Sequence, residues 1–322
     1  MRIGYALSSE EHDANQLLAA ARRADELGFG FAMISDHFHP WTDRQGQSPF
    51  VWSVLGAIAA RTQRLRLVTG VTCPTVRIHP AVIAQAAATT ASLMPGRFTL
   101  GVGSGENLNE HIFGGRWPAA GLRLEMLREA VALIRRLWRG EMTSFQGDFY
   151  RVENARIYTL PDAPPPIAVA ASGPRSARLA ADAGDAIIAT SPKREVVERY
   201  RDAGGEGPRY AKVAVCYAED EDRAVATATE WWPNEALPGE LGQELPLPRH
   251  FEQAAELVTP ERIRETTVCG PDPERYVEAL RSYAEAGFDH VAFHQVGPDQ
   301  EGFFGFFDRE LRRRIADLGS AA

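Results

Sequence analysis

Short apolar runs alternate with amphipathic stretches along almost the whole chain, and this alternation restricts the fold more than any other feature. Arg2–Ala6 reads as a first strand, and Leu17, Leu18, Ala21, Ala24 and Leu27 then recur at helical spacing until Gly28 stops the helix. Strands follow at Phe31–Ser35, Leu65–Val71 and Phe98–Val102, with helices expected over Pro80–Met94 and Leu122–Trp138. Ile167–Ala171, a helix from Arg175, and Ala186–Ala189 continue the series, Val213–Tyr217 and Thr267–Val268 add strands, and His290–His294 closes it. About eight strands, each followed by a helix-length segment, predict a (β/α)8 barrel in the α/β class rather than a dinucleotide-binding sheet joined to a second domain.

Two segments stand outside that rhythm. Phe145–Tyr150 has the residues of a hairpin turn. The stretch from Trp231 to Thr259 is rich in Pro, Glu and Leu with weak periodicity, and is expected to be an insertion, at about 231–262, that caps the ligand end of one barrel domain covering 1–322.

With 322 residues, 44% hydrophobic and 24% charged, the chain can bury a substantial core, and its net charge of −8 argues against a nucleic-acid partner. No stretch is apolar enough for a bilayer span, and the N-terminus runs straight into a strand without a signal-like segment. Cys73, Cys216 and Cys269 are odd in number and set in apolar runs, which predicts buried free thiols and a cytoplasmic protein. The histidines lack paired carboxylates at metal-ligand spacing, so no metal is expected. Phe303, Phe304, Phe306 and Phe307 suit core packing or a subunit interface.

Chemistry concentrates where strands end. Ser35-Asp36-His37-Phe38-His39-Pro40-Trp41 sets an acid, an imidazole and an indole after a buried strand, where barrels carry their ligands, although Asp36 could cap a turn and His37 fill a hydrogen-bonding niche. Gly101-Val102-Gly103-Ser104-Gly105-Glu106 permits close approach of a planar or phosphorylated ligand, or simply a tight turn, and brings Glu106 with it. Ala170-Ala171-Ser172-Gly173-Pro174 opens a helix whose free N–H groups favour an anion, and equally suits an ordinary Ser cap. Lys193 ends the following strand as a cation for a ligand or a solvated surface lysine.

Taken in order with Thr69-Gly70-Val71-Thr72-Cys73-Pro74-Thr75, Pro80-Ala81-Val82-Ile83-Ala84-Gln85 and the continuation Asn107-Leu108-Asn109-Glu110, these motifs resemble the luciferase-like flavin/deazaflavin superfamily, and within it the F420-dependent glucose-6-phosphate dehydrogenase-like branch. The resemblance implies a (β/α)8 barrel, a homodimer, and coenzyme F420 as hydride carrier with a small-molecule substrate. It implies that Asp36 contacts the cofactor and that Gly70-Val71 forms a bulged, non-prolyl cis segment behind the deazaflavin ring. Cys73, Gly105, Glu106, Asn109, Ala171, Ser172 and Gly173 would then hold ring, linker and phosphate. His37 suits the base that takes a hydroxyl proton near neutrality, Trp41 an apolar wall against substrate, Glu106 a proton relay, and Glu10 a further acid/base candidate at the same rim.

One departure concerns the substrate. The branch grips a phosphate with a lysine, matched by Lys193, and with two more basic residues, which the alignment replaces by Glu265 and Asp289. Two acids facing a phosphate dianion would repel it, so glucose 6-phosphate is disfavoured and a neutral or cationic alcohol, or the reverse reduction, is expected. An FMN-dependent monooxygenase on the same barrel is the alternative enzyme, distinguished by oxygen consumption with reduced FMN. A non-catalytic (deaza)flavin-binding protein would be indifferent to His37→Ala.

Overall fold

The computed structural model describes residues 1–316. Its strands are β1 (Arg2–Leu7), β2 (Phe31–Ile34), β3 (Arg66–Thr69), β4 (Phe98–Val102), β5 (Thr143–Gln146), β6 (Arg151–Ala155), β7 (Ile167–Ala170), β8 (Ala186–Ala189), β9 (Arg209–Cys216), β10 (Val268–Cys269) and β11 (His290–Gln295). β9 pairs with both β8 and β11, and β11 with β1, so the eight parallel strands β1, β2, β3, β4, β7, β8, β9 and β11 close into a (β/α)8 barrel.

Alternation along each strand divides the core into two layers. Tyr5, Leu7, Ala32 and Ile34 point outward into the large core between barrel and helices. Ala6, Phe31, Met33, Val68, Ile188 and Ala292 point inward and fill the barrel. The first helix, Ala14–Glu26, starts at an Asp13 capping box completed by Gln16 and buries Leu17, Ala20, Ala21 and Ala24 against that outer surface. Phe303, Phe304, Phe306 and Phe307 are buried in the same core.

Three strands differ from the periodicity-based expectation. β3 stops at Thr69, short of Val71, and the following Gly70–Val71 peptide is cis. β9 begins at Arg209, ahead of the apolar run, because Lys212 interrupts the pattern while its backbone stays paired with Ala292. β10 is not a barrel stave: its two residues pair only with Val215 and Cys216 at the far end of β9. β5 and β6 form the expected antiparallel hairpin.

The segment after Trp231 carries four short helices, Pro233–Ala236, Leu241–Glu244, Pro248–Ala255 and Pro260–Thr266. Asn107 Nδ2 donates to the Glu244 carbonyl, and the buried Arg123 guanidinium meets Glu244 Oε1 at 3.2 Å, tying this segment to the barrel mouth. All three cysteines are buried and free. Among the described residues, no helix is long and apolar enough to cross a membrane.

Candidate active site

A cavity of about 350 Å³ opens at the C-terminal ends of the strands, where a (β/α)8 barrel concentrates its functional loops. It gathers His37, Trp41, Glu10, Glu106, Asp36, Gly70, Val71, Cys73, Gly105, Asn109, Ala171 and Ser172 on one surface, although they are scattered over more than half the chain.

His37 sits at its centre. Its Nε2 lies 3.3 Å from Glu10 Oε1 and 3.4 Å from Glu106 Oε2, so one imidazole bridges two carboxylates. On the other ring edge, Nδ1 lies 3.2 Å from both the His39 carbonyl and the Asn109 amide. Asn109 in turn accepts from the Phe38 and His39 backbone N–H groups and donates to Glu106 at 3.1 Å, fixing the loop after β2 against the loop after β4. The Trp41 ring packs at 5.0 Å from the His37 ring.

The two carboxylates are driven in opposite directions. Burial pushes Glu10 up, but the His37 charge, the Ser35 hydroxyl at 2.5 Å and the Lys212 ammonium outweigh it and hold Glu10 at about 2. Burial raises Glu106 above the ordinary carboxylate range, and the opposing pull of His37 does not cancel that burial, with Glu10 adding a smaller repulsion. Glu10 therefore stays ionised as a fixed counter-charge, whereas Glu106 can exchange a proton; such divergence within one site is the mark of divided acid/base roles.

The wall beside this cluster is made of small residues, Gly70, Gly103, Ser104, Ala170, Ala171 and Ser172. Sterics account for the glycine run: a Cβ at Gly101 would collide with the Thr69 carbonyl oxygen, and Gly105 has φ +86° with a would-be Cβ 2.6 Å from Cys73 Sγ. The outcome is a smooth slot suited to a flat ring. Asp36 lines it, yet both carboxylate oxygens are already engaged, Oδ1 by Arg77 at 2.8 Å and Oδ2 by the Thr72 hydroxyl at 2.8 Å. Arg77 also approaches Glu110 at 3.6 Å, so Asp36 anchors a buried network as well as facing the cavity.

Four expected residues lie elsewhere. Gly173 is outside the lining, and its N–H, like that of Ser172, bonds the Ser176 hydroxyl at 3.2 Å. Lys193 is exposed before the helix Arg194–Asp202 and does not reach the cavity. Glu265 is exposed on Pro260–Thr266, paired with Arg262 at 2.6 Å. Asp289 precedes β11, at the opposite end of the barrel, bound by Arg209 and His290 at 2.5 Å each. The assignment of Glu265 and Asp289 as acids facing the substrate is thus corrected: alignment placed them by order along the chain, whereas the barrel puts only the C-terminal strand ends at the mouth.

Several lining residues escaped sequence reading: Lys212 from β9, His294 from β11, and Trp232, Asn234 and Glu235 from the capping segment. A lysine within Tyr210-Ala211-Lys212-Val213-Ala214 was the available signal, because a charge inside an apolar strand must face a cavity or a partner. The stretch Trp232-Pro233-Asn234-Glu235 falls in the expected capping insertion, but no single residue of it carries a signal for the cavity.

Fold and site together describe a (β/α)8 enzyme with an acid/base cluster beside a slot for a planar cofactor. The chain belongs to the luciferase-like monooxygenase family, which it matches over residues 1–290. It is 38% identical over 335 residues to the F420-dependent glucose-6-phosphate dehydrogenase of Nocardia farcinica, covering 99% of each chain. To the protein of the same description from Beutenbergia cavernae it is 40% identical over 328 residues, 98% of this chain and 97% of the relative. Among solved structures, an F420-dependent secondary alcohol dehydrogenase in complex with an F420-acetone adduct aligns with TM-score 0.90 at 29% identity, over 97% of this chain and 98% of that one. The monooxygenase RslO1 from Streptomyces bottropensis shares the fold, with TM-score 0.76 at 23% identity over 98% of this chain and 100% of the other.

Proposed function

We propose that this protein is an F420-dependent oxidoreductase that transfers hydride between coenzyme F420 and a small hydroxyl or carbonyl substrate. The observation that carries the reading is His37 held between Glu10 and Glu106, whose carboxyls are driven down and up respectively, beside the glycine-lined wall of the cavity. The names of the relatives support the cofactor.

F420, when bound, accepts or returns a hydride at its deazaflavin ring. The chain's own residues do the rest. Gly70, Val71, Gly103, Gly105, Ala171 and Ser172 bound the slot, and Cys73 and Asn109 lie at its edge. In alcohol oxidation the substrate carbon loses hydride while its hydroxyl proton passes to His37 in its neutral form, and the imidazolium so formed is the charge that Glu10 faces at 3.3 Å. Glu106 exchanges the second proton of the cycle, and Trp41 gives the substrate an apolar wall. In reduction the same transfers run backwards.

Glucose 6-phosphate remains disfavoured in this reading, now for a reason in the cavity. The lining carries Glu10, Glu106 and Glu235, and its one Lys or Arg among the described residues is Lys212, already beside Glu235 at 3.7 Å. A phosphate dianion would meet no free cation there. Three unpaired cysteines fit a reducing compartment, and a cytoplasmic homodimer completes the proposal, with sedimentation to test the subunit number.

Titration of the purified protein with F420 and, separately, FMN tests the cofactor through tryptophan fluorescence. Saturable F420 binding and F420-linked turnover on an alcohol and carbonyl panel are expected. Preference for FMN with oxygen consumption would replace this reading with the monooxygenase, and F420 binding indifferent to His37→Ala in every assay would leave a binding protein.

A further inference from the structure

Lys212, Glu235 and His294 play no part in the proton transfers above, yet all three line the same cavity. Lys212 projects from the inner face of β9, with Nζ 3.7 Å from Glu235 Oε2 and 5.0 Å from the Trp232 ring. Trp232 Nε1–H donates to that same Oε2 at 2.9 Å. Both the indole N–H and the ammonium thus lie on Oε2, and the Lys212 charge is balanced by Glu235 at a distance longer than an ordinary hydrogen bond. His294 is 2% exposed; its Nε2 meets Glu11 at 2.9 Å, and its Nδ1 is buried with no partner. The Trp232 ring stands edge-on to His294 at 4.4 Å and shares an apolar cluster with Trp41, whose ring touches His37, so this wall is continuous with the reacting end.

An apolar alcohol seated here would strip water from an ammonium and a carboxylate and return nothing. A phosphate would face carboxylates and a neutralised lysine. A hydroxyl both donates and accepts, and so can satisfy Glu235 Oε1 and Lys212 Nζ together. We propose that Lys212 and Glu235, backed by the buried His294, form a specificity site that reads a second hydroxyl of the substrate, so that the compound oxidised is an uncharged polyol. This rests on the F420-dependent reading above. The Lys212 charge also reaches Glu10 and Glu106, lowering both, which puts the specificity site electrostatically close to His37.

The test uses the F420-loaded enzyme with propan-2-ol, glycerol, glucose and glucose 6-phosphate, comparing wild type with Glu235→Gln. Lys212→Met alone would strand a buried carboxylate, so the double variant Lys212→Met/Glu235→Gln removes both charges instead. Two charge-assisted hydrogen bonds predict a kcat/KM for the better polyol about a hundredfold above that for propan-2-ol, and a ratio that falls at least about tenfold in each variant. In parallel, calorimetry of glucose and glycerol binding to enzyme holding reduced F420, which cannot oxidise them, should show the same weakening. A ratio equal in wild type and variants, propan-2-ol as the best substrate, or glucose 6-phosphate preferred over glucose would each overturn the proposal. Loss of F420 affinity in the variants would reassign the residues to the cofactor, and failure of the wild type to bind F420 would remove the functional reading beneath.

Discussion

Glu10→Gln isolates the charge at the centre of the site while keeping its shape. In the native protein the Glu10 carboxylate accepts from Ser35 at 2.5 Å and Ser8 at 3.1 Å and faces His37 at 3.3 Å. Its folded pKa of about 2 lies below the ordinary 4.5, so the folded state prefers the ionised form. A depressed carboxylate stabilises the fold above its unfolded pKa, and the contribution fades as pH falls through the folded value. At pH 7 the difference is worth ~3 kcal/mol, at pH 5 nearly the same, and at pH 3 about 1 kcal/mol. Urea unfolding of wild type and Glu10→Gln at pH 7, 5 and 3 should give a stability gap that narrows across that window. A gap independent of pH would show that Glu10 acts by packing and neutral hydrogen bonds alone, and the assignment of Glu10 as a fixed counter-charge would fail.

His37→Ala should lower kcat by roughly two to four orders of magnitude while the F420 dissociation constant, read by fluorescence titration, changes less than about threefold; equal losses would make His37 structural. Gly101→Ala forces a Cβ onto the Thr69 carbonyl oxygen, and should destabilise the fold by more than ~2 kcal/mol in thermal unfolding. Removing Arg77 from Asp36 and Glu110, as in Arg77→Met, leaves buried acids uncompensated and should cost about 3–5 kcal/mol by urea unfolding. Asp289→Ala, at the far end of the barrel, should leave substrate KM within about twofold and instead lower stability by ~1–2 kcal/mol through the broken Arg209 pair; a large KM effect would restore it to the site.

The sequence carried the barrel because strand and helix periods are written in single residues: Tyr5 and Leu7 alternate outward while Ala6 turns in, and no distant partner is needed to see it. The local part of the site was legible for the same reason, since Asp36, His37 and Trp41 sit on one loop after one strand and Gly105, Glu106 and Asn109 on another. What joins the two loops was not legible. Glu10 becomes a counter-charge because β1 lies beside β2, which brings Ser35 onto its oxygen, and Glu106 is raised chiefly because the fold buries it. The far wall of the cavity was hidden more deeply, since Lys212, Glu235 and His294 come from two barrel strands and an irregular segment whose common feature is the cavity. The misplacement of Asp289 has the same root: position along a barrel chain does not say which end of a strand a residue occupies, and the start of β11, where Asp289 sits, is a full strand length from the mouth that His294 reaches, whereas Glu265 fails because its helix turns it to solvent beside Arg262. The proposed specificity residues therefore lie on the arc of the barrel that sequence patterns describe least, while the proposed acid/base residues lie on the arc they describe best.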